Sequence, residues 1–279
     1  MTRLEGALVL VTGASSGIGA ATARAFADAG SVVVLVARTE IALDDVVTSI
    51  RCRGGEAHRV VTDVSDAAAV SAMAVTVVTE FGVPDVIVNN AGAGRFLSIE
   101  ETSAAEAREM MAVPYLAAFT VTRAFVEPMI ARGSGTILQI NTPAAFAPWP
   151  GAVGYSAARF ALRGFTEALR QDLRNSGITV SSVTPAKVST AYFDRHSGAE
   201  DRIPAISNLI GTMTPEQVAD VVTGTVERDR HDVHAPRTWR LLRPVTAWSP
   251  RLVGWLSWRT SSARRIRGSE GRPARRRVH

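Results

Sequence analysis

Residues 12–19, TGASSGIG, lie between a short apolar run (ALVLV, residues 7–11) and a helical pattern, and this context constrains the fold more than any other feature. A strand that feeds a helix through a glycine-rich turn brings backbone N–H groups and a helix N-terminus to one point. That geometry suits a pyrophosphate. Gly13, Gly17 and Gly19 meet the demands for a tight turn and close approach, because they carry no Cβ. The loop therefore predicts a dinucleotide site at the end of the first strand.

The same alternation continues along the chain. Apolar β-branched runs at 31–37, 58–62, 86–88, 136–140 and 179–184 are separated by helical patterns at 41–53, 67–81, 104–131 and 156–175. Short strands divided by longer helices imply parallel pairing, since parallel strands need a crossover connection. Strands so continuously apolar are covered on both faces. The expectation is an α/β, doubly wound parallel sheet in one domain spanning 1–235. A Trp/Arg-rich amphipathic extension (236–260) and a basic, aperiodic tail (261–279) follow it.

Further motifs sharpen this reading. Asp63-Val64 follows the third strand, Asn89-Asn90-Ala91-Gly92 ends the fourth, and Tyr155 stands in Gly154-Tyr-Ser-Ala-Ala-Arg159. With the loop, these resemble the TGxxxGxG, NNAG and YxxxK motifs of the short-chain dehydrogenase/reductase family, over about residues 8–192. The resemblance implies a Rossmann-type sheet of about seven strands and a nicotinamide cofactor across the strands' carboxyl ends. It assigns cofactor contacts to Gly13, Ser15, Ser16, Gly17, Ile18 and Gly19 in the loop. Further contacts fall to Asp63, Val64, Asn90, Ala91 and Gly92, to Tyr155 and Arg159, and to Pro185, Val188 and Thr190 in a segment similar to the family's PGxVxT, with Ala186 for its glycine. Ala37-Arg38 at the end of the second strand decides the cofactor. No carboxylate stands at 37 to hold an unphosphorylated ribose, and the Arg38 fork suits a 2′-phosphate, so NADP(H) is expected over NAD(H).

The resemblance implies hydride exchange between the cofactor and a carbonyl/alcohol pair, with a tyrosine moving the proton. An ordinary tyrosine ionises near pH 10 and needs a nearby positive charge to work around neutrality. Of the family's four catalytic positions this chain keeps Tyr155. The lysine position holds Arg159, the serine position Thr142, and the asparagine position Pro114. Arginine keeps the charge and threonine keeps the hydroxyl. Pro114 removes a side-chain polar group and an N–H, and should kink its helix. Lys187, the chain's single lysine among 31 basic residues, reads first as a substrate-loop lysine and second as a substitute charge. Phe96, Phe146, Trp149 and Tyr192 are expected to line the pocket of a lipophilic small molecule. The competing class is an NADP(H)-binding sensor or scaffold without turnover, motivated by the altered catalytic set.

Charge is divided unevenly. After residue 235 there are twelve arginines and one acid, Glu270, against 19 basic and 25 acidic residues before it. In the extension Pro244 and Pro250 divide two short Trp- and Leu-bearing segments. These are expected to form a lid on the cleft or on a neighbouring subunit, with contact to a membrane surface as the alternative. A specific nucleic-acid partner is not expected, because an arginine run gives only sequence-blind attraction. By resemblance, helices at 104–131 and 156–175 would build a homodimer or homotetramer. Cys52 has no partner for a disulfide, no leader pattern opens the chain and no metal spacing surrounds His196, His231 or His234. A cytoplasmic protein, with peripheral membrane association as a variant, and no metal are the expectations.

Overall fold

The computed structural model describes residues 2–92, 94–190 and 202–261. Seven strands form one parallel sheet: β1 (Leu8–Thr12), β2 (Val32–Ala37), β3 (Glu56–Val61), β4 (Val86–Asn89), β5 (Gly135–Ile140), β6 (Ile178–Pro185) and β9 (Asp232–Ala235). Their order is β3-β2-β1-β4-β5-β6-β9, and β7 (Lys187–Val188) pairs separately with β8 (Thr212–Met213). Winding reverses between β1 and β4, whose neighbours share the register Val9 to Val86. A crevice opens at such a reversal beyond the strands' carboxyl ends, and this one lies where residues 12–19 begin.

Side-chain alternation in the central strands assigns the two faces. Val9, Val11, Val33 and Leu35 point to one core with Phe26 and Leu43 of α1 (Gly17–Asp28) and α2 (Glu40–Arg51). Leu8, Leu10, Val34 and Val36 point to the other, with Val77 of α3 (Ala67–Glu80) and Phe125 and Met129 of α5 (Ala117–Arg132). Val218 and Val222 of α7 (Pro215–Glu227) complete the first core. Neither α7 nor β9 stood out in the sequence, because their apolar periodicity is broken by Thr and Asp residues.

Pro114 acts as its chemistry demands. The pattern at 104–131 divides into α4 (Ala104–Met111) and α5, joined by a π-helical stretch, Ala112–Leu116. Val113, forced out of the helical region by the proline that follows it, has φ −135° and ψ 114°. The extension also departs from expectation. Pro244 lies inside α8 (Arg237–Trp248), and the break falls at Ser249, before Pro250 opens α9 (Pro250–Thr260). Pro250 takes the first helical position, where its missing N–H costs nothing.

Candidate active site

Every expected catalytic and cofactor-contact residue except Gly19 lines one cavity of about 670 Å³ over the carboxyl ends of the strands. Gly13 and Gly17 take left-handed backbone, with φ of 65° and 55°. Gly19 packs behind the loop, where a Cβ would stand 2.2 Å from the Gly13 carbonyl oxygen. Its glycine thus serves the close passage of helix against turn, a demand separate from ligand contact. The α1 N-terminus, with Ser16 at its N-cap position, faces the same space.

Thr12 and Asn90 fasten the loop to β4. The Thr12 hydroxyl accepts the N–H groups of Asn90 (3.1 Å) and Ala91 (3.0 Å) and donates to the Val88 carbonyl (3.3 Å). Asn90 Nδ2 donates to the carbonyls of Thr12 (2.9 Å) and Gly13 (3.2 Å). Asn90 therefore holds the turn in shape with its side chain.

At the far end of the cavity, Arg38 Nη1 lies 3.9 Å from Asp63 Oδ2, and the Arg38 side chain is 76% exposed. Asp63 Oδ1 accepts the Ser65 hydroxyl (2.7 Å) and N–H (2.9 Å). These hydrogen bonds, opposed by partial burial and helped by the Arg38 charge, hold the Asp63 carboxyl below its ordinary range. A fixed anion thus orients a cation that still faces solvent.

Tyr155 and Arg159 lie one turn apart in α6 (Val153–Asp172). The Arg159 guanidinium carbon is 5.3 Å from the Tyr155 ring centroid. Its Nη1 donates to the Ile140 carbonyl at 3.1 Å, and Nε has no hydrogen-bond partner among the described residues. Two glycines make room for this pair. A Cβ on Gly92 would meet Arg159 Nη2 at 2.7 Å, and one on Gly94 would meet Tyr155 Cδ2 at 2.6 Å. Thr142 caps the short helix Pro143–Ala145 by accepting the Ala144 N–H at 3.3 Å, which leaves its proton available to the cavity. Sequence reasoning missed Asn141. Its Oδ1 accepts the Thr142 N–H (2.9 Å) and its Nδ2 donates to the Arg159 carbonyl (3.4 Å), which ties the strand end to α6.

The pocket wall needs one correction. Phe96 and Trp149 box the Tyr155 ring at 4.9 and 6.4 Å, and Ile203 joins them. Phe146 does not line the cavity. It is held between the Arg163 and Arg243 guanidiniums (4.4 and 5.2 Å) and packs edge-on against His234 and Trp239. Cationic stacking outcompetes exposure to the cleft. Burial, with Arg243 and Arg163 nearby, pushes the His234 pKa down. Val113, Ser207 and Ile210 also line the cavity and were not anticipated. Tyr192 and His196 lie outside the described residues. Lys187 lines the cavity from β7. Among the described residues no three His, Cys, Asp or Glu side chains gather as a metal site, and no helix is long and apolar enough to cross a membrane.

Comparison with known proteins agrees with this geometry. The family model described as "short chain dehydrogenase" matches residues 7–201. "Probable oxidoreductase EphD" of Mycobacterium tuberculosis is 36% identical over 238 residues, 80% of this chain, which spans only 40% of that relative's length. A metagenomic short-chain oxidoreductase crystallised with NADP is 32% identical with TM-score 0.70, covering 84% of this chain and 97% of that one. A short chain dehydrogenase/reductase from Burkholderia phymatum, crystallised with NAD, is 26% identical with TM-score 0.79, covering 94% and 99%. With the sheet order, the glycine cradle and the Tyr155–Arg159 pair on the same chain, the protein belongs to the short chain dehydrogenase family.

Proposed function

We propose that the chain is an NADP(H)-dependent alcohol dehydrogenase/carbonyl reductase acting on a lipophilic small molecule. The observation that carries the cofactor is Arg38, exposed at the end of β2 with no acid at position 37. The residues fit the dinucleotide. A side chain at Gly17 would fill the cradle, whose nearest wall is the Thr190 methyl at 3.4 Å. Gly13, Ser15, Ser16, Gly17 and Ile18 would hold the pyrophosphate. Arg38, Asp63 and Val64 would hold the adenosine end, and Asn90, Ala91, Gly92, Pro185, Val188 and Thr190 the nicotinamide half. Gly19 contributes through the shape of the turn. The metagenomic neighbour binds NADP and the Burkholderia neighbour NAD. Position 38 is therefore where this chain's own choice is made.

NADP(H) supplies or accepts the hydride. Thr142 donates its hydroxyl proton to the substrate oxygen and orients it. Tyr155 gives or takes the proton at Oη. Arg159 holds a permanent positive charge on the Tyr155 ring face, and its guanidinium would contact the ribose. Because Pro114 offers no polar side chain, proton exchange with solvent would run through water or another residue. The apolar walls at Phe96, Val113, Trp149, Ile203 and Ile210 favour a lipophilic substrate. Lys187, which lines the cavity, reads as a substrate-loop lysine. Exposed Leu116, just before α5, and Phe119 in its first turn, with Phe160 on α6, support self-association through these helices.

Steady consumption of NADPH with apolar ketones or aldehydes tests this reading. Tight NADPH binding without turnover across a broad panel would instead favour a sensor or scaffold, for which the Pro114, Thr142 and Arg159 substitutions are the motive.

A further inference from the structure

The extension buries less of its apolar surface than its sequence would allow. On α8 the less exposed positions are Trp239, Arg243 and Thr246, at i, i+4 and i+7, and they meet the domain through Phe146 and His234. The opposite stripe, Leu241, Val245 and Trp248, is 73, 43 and 91% exposed. On α9, Val253 and Leu256 turn inward with buried Ser257, while Leu252 and Trp255 stay about half exposed. A surface helix ordinarily turns its apolar stripe to the core and its polar face to water. Here two successive helices present large aliphatic and indole side chains outward.

Charge is equally one-sided. Residues 236–260 hold five arginines and no acid. We propose that the outer face of α8–α9 docks on an anionic lipid bilayer. Leu241, Trp248, Leu252 and Trp255 would enter the headgroup boundary while Arg237, Arg240 and Arg251 meet lipid phosphates. Two other occupants fit less well. A second copy meeting this face about a two-fold axis would set Arg237, Arg240 and Arg251 against the same arginines of its partner. Residues 262–279 add seven arginines and only Ile266 and Val278 as large aliphatic side chains, so they favour the same lipid charge and cannot cover the stripe. The inner face connects docking to the site. α9 packs on the short helix Ala205–Leu209, and Ser207 and Ile210 line the cavity. The contact with Ala205–Leu209 and the proposed lipid contact fall on opposite faces of this pair of helices.

Vesicle flotation of the full chain tests the proposal, with phosphatidylcholine alone and with roughly 7:3 phosphatidylcholine to phosphatidylglycerol, at low and high salt. The full chain should float with the anionic vesicles and far less with the neutral ones. Trp248→Ser/Trp255→Ser should cut the partition about tenfold or more with NADPH affinity unchanged. Arg240→Glu/Arg251→Glu, at exposed positions, should weaken binding to the anionic vesicles only. A full chain that stays soluble would overturn the proposal. So would undiminished flotation of the double tryptophan variant, which would leave only arginine attraction from the tail. A drop in oligomer mass by light scattering, without vesicle binding, would assign the face to a second copy. NADPH consumption without vesicles is scored separately, so failure of docking is distinct from failure of the proposed activity.

Discussion

Arg38→Ala separates the two nicotinamide cofactors most cleanly. The side chain is 76% exposed, and its Nη1 stands 3.9 Å from Asp63 Oδ2, a weak tie that does not compete with a phosphate. A charge-assisted hydrogen bond to a phosphate contributes about 1.5–3 kcal/mol when well shielded. Exposure and screening discount this to about 1–2 kcal/mol, or roughly 5- to 30-fold in affinity. Removing Arg38 also leaves the Asp63 carboxylate uncompensated near the 2′-phosphate, which adds to the loss. NADH has no 2′-phosphate and should keep its affinity within about twofold. Calorimetric titration of both cofactors against both proteins measures the difference, and raised salt should narrow it. Equal weakening of NADPH and NADH, or no weakening of either, would refute the assignment of Arg38 to the phosphate.

Three further outcomes follow from the site and its surroundings. Gly94→Ala places a methyl 2.6 Å from Tyr155 Cδ2, at a position with φ 155°, so kcat should fall about tenfold or more while NADPH affinity holds; paired kinetics and titration check this. Arg159→Met should lower kcat roughly 100-fold, and Arg159→Lys should restore most of it, because the charge and not the fork is what Tyr155 requires. A pH series of Tm reports on His234. Its pKa is depressed in the fold from the ordinary 6.5, so the unfolded chain takes up the proton first and stability falls as pH drops below about 6.5. His234→Phe should flatten that window and leave the acid loss from carboxylates such as Asp63, whose pKa is also lowered, at more acidic pH.

What the sequence made legible was local. The 12–19 turn, Asp63, the end of β4 and the Tyr155–Arg159 pair each depend on a few adjacent residues, so the family resemblance of these short motifs assigned them to one site, and they line one cavity. Pro114 likewise announced its own kink through a rule that acts on its immediate neighbour. What stayed hidden depends on residues distant in the chain. Phe146 left the pocket because Arg163 from α6 and Arg243 from α8 bracket it, and no local pattern records that pairing. Gly94 reads as an ordinary loop glycine until the Tyr155 ring lies against it. Asn141 gained its role only when β5 met α6. Gly19 was grouped with the phosphate contacts by motif, whereas its close contact is with the Gly13 carbonyl.

Tyr155 is the group proposed to move the proton beside the bound NADP(H). Tyr155→Phe keeps the ring packed between Phe96 and Trp149 and removes only the hydroxyl. The deciding measurement is the rate of NADPH consumption with an apolar carbonyl substrate for both proteins, alongside NADPH titration. The expected result is a loss of about 100- to 10,000-fold in kcat with cofactor affinity unchanged within about twofold. Retained turnover in Tyr155→Phe would contradict it.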